Sequence, residues 1–137
     1  MAVIRDSHVH VRIQNSADIV AARQQGRSLA AQAGFSHSNL TMIATAIAEV
    51  ARNIVEYAKE GEVIITLIND ASKRGVEIVA ADNGPGMADV STVMRDDDST
   101  DRGPGIGLPG VRRLMDEFAI ASAIGTGTIV TMKKWVG

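Results

Sequence analysis

The residues of this chain that can do chemistry lie in three glycine-bearing stretches and one helical pair. Residues 102–113 read RGPGIGLPGVRR. Glycines let a backbone approach phosphate oxygens closely and reach φ/ψ values that other residues avoid. A helix beginning near Ile106–Val111 then offers free N–H groups and a positive dipole end to an anion. A plain linker would read the same way. Asp82-Asn83-Gly84-Pro85-Gly86-Met87 directly follows a strand pattern. An aspartate at a strand end can accept a hydrogen bond from an exocyclic amine such as that of adenine, and the glycines leave room for a flat ring. The same residues are also strong turn chemistry. Glu49 and Asn53, four apart, share one helix face. A carboxylate there can act as general base or order a water. An amide oxygen there can bind Mg²⁺, a hard cation that keeps several waters. A solvated helix face is the alternative. Gly125-Thr126-Gly127-Thr128 is a hairpin turn whose Thr128 hydroxyl can point into a pocket.

Gly105-Ile106-Gly107-Leu108-Pro109-Gly110 spells the dinucleotide pattern G-x-G-x-x-G. That motif must leave a buried strand directly. Here it follows Arg95-Asp-Asp-Asp-Ser-Thr-Asp-Arg102, which no buried strand resembles. The region from Ala123 to Val130, where a ribose-binding acid would fall, has no Asp or Glu. The remaining chain is too short for repeated βαβ units. A Rossmann reading is therefore excluded.

The elements that must position these residues follow from periodicity. His8–Ile13 alternates as a short strand. Ser16 and Asp18 open a helix that stops at Gly34, with Gly26 as an awkward interior residue. Ser38 is the predicted cap of a second helix running to about Glu60 and closed by Gly61. Its stripe of Ile43, Ile47, Val50, Ile54 and Tyr57 is amphipathic, with Glu49 and Asn53 flanking it. Glu62–Ile68 and Val76–Ala81 form a hairpin. A punctuated stretch from Asp82 to Pro109 holds all three prolines of the chain. VRRLMDEF resumes a helix, and Ala119–Ile124 and Thr128–Trp135 are the last strands. This order predicts an α/β two-layer sandwich, with a mixed, mostly antiparallel sheet and helices on one face.

Composition limits the partners. The chain has 137 residues, the size of one domain, and 45% are hydrophobic, enough to bury a core. Only Phe35, Tyr57, Phe118 and Trp135 are aromatic, so the core must be aliphatic and no base-stacking surface is expected. A net charge of -2 gives no attraction for nucleic acid or an anionic membrane. Without cysteine there is no disulfide or thiolate metal site. No signal peptide or membrane span is expected, so the protein should be cytoplasmic. His8 and His10 share a strand face but suggest no third metal ligand; an edge strand at an interface is the other reading. Met42, Met94, Met115 and Met132 read as core fillers. Arg23 and Arg27 share a helix face that is solvated or meets an acidic partner.

In order, Glu49-x-x-x-Asn53, Asp82-x-Gly84-x-Gly86, Gly103-x-Gly105-x-Gly107 and Gly125-x-Gly127-Thr128 resemble the motifs of the GHKL ATPase/kinase superfamily, which includes gyrase, Hsp90, histidine kinases and MutL. The resemblance spans roughly residues 16–135. IVAARQQGR, EVARNIVEYA, DNGPGM and GLPGVRRLMDEF further look like the single-domain serine/threonine kinases of the bacterial stressosome. The resemblance implies a Bergerat ATP-binding fold over residues 1–137, with an ATP lid at about 95–107. It implies ATP with Mg²⁺, and phosphoryl transfer to Ser or Thr of a STAS-domain partner. A second role, activation of a metal-dependent serine phosphatase on release, is also implied.

By the same resemblance Asn53 would hold Mg²⁺, and Glu49 would take the proton from the attacking hydroxyl. Asp82 would bind the adenine amine with help from Thr128. Gly84 and Gly86 would shape the adenine and ribose end, and Gly103, Gly105 and Gly107 would wrap the phosphates. The acidic DDDSTDR segment sits uneasily beside a triphosphate; Arg95 or Arg102 can offset it, and Arg102 is placed to reach a γ-phosphate. A histidine-kinase fragment is disfavoured because no phosphoacceptor helix carries a His. An anti-sigma or adaptor module in which ATP only gates protein binding would share all four motifs.

Overall fold

The structure, a computed structural model, describes residues 3–87, 90–94 and 106–137. The chain opens with β1 (Ile4–Ile13), which leads into α1 (Ser16–Ala31) and α2 (His37–Asn53). The hairpin β2 (Gly61–Asp70) and β3 (Lys73–Asp82) follows, then a single helical turn α3 (Val90–Val93) and helix α4 (Gly107–Leu114). β4 (Glu117–Ala123) and β5 (Gly127–Trp135) complete a five-stranded sheet ordered β1-β2-β3-β5-β4. Every pairing is antiparallel. The expected mixed sheet thus resolves to an antiparallel one, because each neighbouring pair can be reached without a parallel crossover.

Alternation decides the two faces. Val11 and Ile13, then Val63 and Ile65, then Val76 and Ile78, then Val130 and Met132 are buried toward the helices. α2 adds Ile43, Ile47, Val50 and Ile54, all at most 2% exposed. Gly26 explains itself here: a β-carbon on it would run into Cδ1 of buried Ile47, so its absence lets α1 lie close on α2. On the opposite face Arg5 forks onto Glu77, with Nε to Oε1 at 3.1 Å and the terminal nitrogen to Oε2 at 2.8 Å. These hydrogen bonds, then the carboxylate charge, raise the Arg5 guanidinium above its ordinary value.

Several local expectations are corrected. α1 opens at Ser16 as expected, capped by Asn15, whose side chain accepts from the Asp18 amide while the Asp18 carboxylate accepts from the Asn15 amide, but it ends at Ala31 rather than at Gly34. α2 is capped by Ser36, not Ser38: Ser36 Oγ accepts from the Asn39 amide at 3.2 Å. α2 does not run to Glu60. It passes at Asn53 into a π-helical turn, Ile54–Ala58, and Lys59 at φ 73° ends it before Gly61 starts β2. The wider turn breaks the 3.6-residue period, so Tyr57 leaves the apolar stripe and is 65% exposed. Met42 is exposed rather than a core filler, whereas Met94, Met115 and Met132 are buried. The last helix spans Gly107–Leu114 rather than continuing to Phe118, which lies in β4.

Candidate nucleotide-binding site

One end of the sheet brings Asp82 and Thr128 together. The register sets Asp82 opposite Thr128 and Thr128 opposite Ser122, side by side across β3, β5 and β4. Asp82 Oδ1 accepts from the Gly84 amide at 2.9 Å and the Thr128 amide at 3.3 Å. Two backbone donors thus fix the carboxylate through one oxygen.

The glycines here meet steric demands. Gly127 has φ 99°, and a β-carbon would strike the Asp82 carbonyl. Gly86 has φ 74°, and a β-carbon would strike the Ala123 carbonyl. The loop after β3 is also tied to the β4–β5 turn by Gly125 N–H to Pro85 O at 2.9 Å. Gly84 closes the other side: its missing β-carbon would lie 2.6 Å from Ala58 Cβ, in the π-helical turn just after Asn53. Asp82, Gly84, Gly86 and Thr128 are therefore tied together at this end of the sheet, and the π-helical turn that follows α2 abuts Gly84.

Glu49 and Asn53 sit on α2 as expected, Asn53 half-buried, but Glu49 is only 5% exposed rather than merely flanking the core. Both α1 and α4 pack against α2. The buried residues of α2 extend beyond its aliphatic stripe to Ala44, Ala46, Glu49 and Ala51. The Glu49 carboxylate faces Arg52 one turn on, at 3.6 Å. Gly107 starts α4 at φ 69°. Gly103 and Gly105, with Arg95, Arg102 and the DDDSTDR segment, lie outside the described residues. Among the described residues no three His, Cys, Asp or Glu side chains cluster as a metal site. His10 Nε2 lies 2.7 Å from Glu62 Oε2.

Sequence reasoning missed Ser122. Its Oγ accepts from the Met87 amide at 2.8 Å and lies 2.7 Å from Thr128 Oγ1 and 3.1 Å from Gly127 O. Only the strand register exposes this role, since a serine in an alternating strand carries no local signal.

Residues 14–134 match the family model of the histidine kinase-like ATPase domain. The chain belongs to that family. Among similar proteins is the serine/threonine-protein kinase RsbT of Bacillus subtilis, 49% identical over 92% of this chain and 95% of its own length. Anti-sigma F factors of Thermoanaerobacter sp. and Caldanaerobacter subterraneus are 29% and 30% identical, each over 85% of this chain and 84% of their own. A crystal structure of RsbU and RsbW domains from Mycobacterium tuberculosis aligns with a TM-score of 0.65 and 21% identity, over 94% of this chain and 32% of that one. That likeness shows the shared histidine kinase-like fold. No helix among the described residues is long and apolar enough to cross a membrane.

Proposed function

We propose that this histidine kinase-like ATPase domain is an ATP-dependent protein serine/threonine kinase of a partner-switching pathway. It transfers a phosphoryl group to a Ser or Thr of a STAS-domain protein. Released from that partner, it activates a metal-dependent serine phosphatase. The chain acts as a single cytoplasmic domain. The observation that carries the reading is the Asp82 carboxylate, held through Oδ1 by the Gly84 and Thr128 amides in a chain 49% identical to a serine/threonine kinase.

In this reading Asp82 Oδ2 accepts the adenine amine, and Thr128 lends its hydroxyl to the same base. Gly84 and Gly86 leave the backbone low enough for the ring and ribose. Gly103, Gly105 and Gly107 present amides to the phosphates. Asn53 suits Mg²⁺, which accepts few protein oxygens and keeps its waters. When bound, Mg²⁺ neutralises charge on the phosphates. Glu49 takes the proton of the substrate hydroxyl as the new P–O bond forms and the bond to the ADP oxygen breaks. Low exposure of Glu49 favours a fixed base over a solvated one. Positioning and charge neutralisation supply most of such catalysis, so no Walker lysine is required.

The anti-sigma relatives, at 29–30% identity, fit the gating-module alternative less well than the kinase relative fits this one. Incubation with Mg-ATP and a STAS-domain protein separates the two. A kinase adds one phosphate to the partner. A gating module binds ATP and adds none.

A further inference from the structure

At the end of the sheet opposite Asp82, a cavity of about 330 Å³ is lined by Asn69, Ala71, Ser72, Lys73, Arg74 and Val136. Asp70 pairs with Lys73 across a two-residue turn, and Ala71 takes the left-handed φ of 42° that so short a turn demands. Asp82 lies at the other end of β3. At about 3.4 Å per residue the cavity is about 30 Å from the candidate nucleotide site, so the two are separate.

Two cations line this cavity, and among the described residues neither meets a carboxylate. Lys73 Nζ sits 4.6 Å from the centroid of the Trp135 ring. Arg74 donates to the Gln32 carbonyl at the end of α1 at 3.0 Å. Asp70 stands opposite Lys73 in the register but forms no ion pair with it, and Asp6 is engaged by the Asn69 amide group. Elsewhere on the sheet Arg5, Arg12 and Lys133 each lie beside an acid. Trp135, which carries Lys73, is itself fixed. Its indole N–H donates to Glu117 Oε2 at 2.6 Å, its backbone N–H donates to Asp116 Oδ2 at 2.7 Å, and its ring lies against Gly75.

Two cations without acids select an anion. A free anion would hold only solvated contacts, each worth about 0–1 kcal/mol, too little to retain it. A polypeptide joins two carboxylates on one chain and adds burial of Val136 and Ala71. We propose that this hairpin end is a docking site for an acidic segment of a partner protein, in which two Asp or Glu side chains reach Lys73 and Arg74 while an apolar neighbour covers Val136. The chain as a whole carries a net charge of -2 and gives an acidic partner no long-range attraction, so the local pair supplies the recognition. A segment bound here leaves the Asp82 end open, and docking is independent of nucleotide.

The test is selection of a random-peptide phage library against the intact chain, followed by titration of the best synthetic peptide by fluorescence anisotropy and by NMR amide shifts. Enriched peptides should be acidic, and their Asn/Gln counterparts should not bind. Shifts should fall on Ser72, Lys73, Arg74 and Val136 and spare Asp82 and Thr128. Lys73→Ala should weaken binding about threefold and Lys73→Glu about tenfold, the loss and then the reversal of one exposed ion pair. Saturating ADP should change the affinity by less than about twofold. Enrichment without acidic bias, shifts centred elsewhere, unchanged affinity in Lys73→Glu, or displacement by ADP overturns the proposal. Should Lys73→Glu fail to fold, Ser72→Asp sets a carboxylate at an exposed turn position beside the same cations, and unchanged binding there overturns it equally. Inorganic phosphate is the other arm. If phosphate alone at about 1 mM shifts the same amides and displaces the peptide, the cavity takes small anions and the docking site falls.

Discussion

Replacing Asp82 by Asn tests the purine end of the site with little structural damage. Asp82 Oδ1 carries both protein contacts, to the amides of Gly84 and Thr128. An Asn side chain can place its carbonyl oxygen there and keep both. Its NH₂ group then occupies the position of Oδ2 and confronts the ligand amine with a second donor. One charge-assisted hydrogen bond is lost, worth about 1.5–3 kcal/mol. ADP affinity should fall roughly 10- to 150-fold. The fold should lose under about 1 kcal/mol, a shift of at most about 4 °C in Tm. Asp82→Ala behaves differently: it strands the two amides and should destabilise the fold by about 1–3 kcal/mol. Titration calorimetry with ADP, paired with a thermal melt, reads both quantities. Wild-type ADP affinity in D82N would refute the reasoning. So would an affinity loss that appears only together with unfolding.

Other perturbations probe separate parts of the account. Glu49→Gln should lower phosphoryl transfer by about 10²- to 10⁴-fold while ATP affinity stays within about twofold, measured by single-turnover transfer and by equilibrium titration. Retained transfer removes Glu49 as base. Gly127→Ala places a β-carbon against the Asp82 carbonyl at φ 99°, with no flexible side chain to yield. It should cost at least about 2 kcal/mol and abolish nucleotide binding, read by denaturant unfolding and titration. Arg5→Ala leaves the 7%-exposed Glu77 without its fork, at a cost of about 1–3 kcal/mol after discounting for the half-exposed arginine. Because Glu77 raises the Arg5 pKa, the guanidinium contribution is complete below the unfolded value and is lost only in strong alkali. The difference in stability due to Arg5 ionisation should therefore be flat from about pH 6 to about pH 9.

Much of this arrangement could be read from one dimension, for physical reasons that differ by element. The β2–β3 hairpin was legible because its strands are short aliphatic, β-branched runs joined by turn residues, and the last strand because its burial nearly alternates. The Asp82, Gly84 and Gly86 set was legible because tight backbone approach requires glycine, and such requirements survive in sequence. The sequence reading put the cap at Ser38, and no local chemistry distinguishes that serine from Ser36. Tertiary packing decides it: Phe35 must be buried, and with Leu40 it takes the two positions of a hydrophobic staple around Ser36. The π-helical turn had no local signal, and it misplaced Tyr57. The depth of Glu49 had no local signal, because α2 also packs against α4, a helix far along the chain. Ser122 was invisible for the same reason, since its partners Met87 and Thr128 meet only through strand register.

The most direct measurement of the central claim is mass spectrometry of a STAS-domain protein after incubation with the chain and Mg-ATP, with E49Q in parallel. The account predicts one added phosphate on a Ser or Thr with wild type, and none with E49Q although it still binds ATP. ATP binding without any transfer by the wild-type chain to a STAS-domain protein that it binds would contradict it.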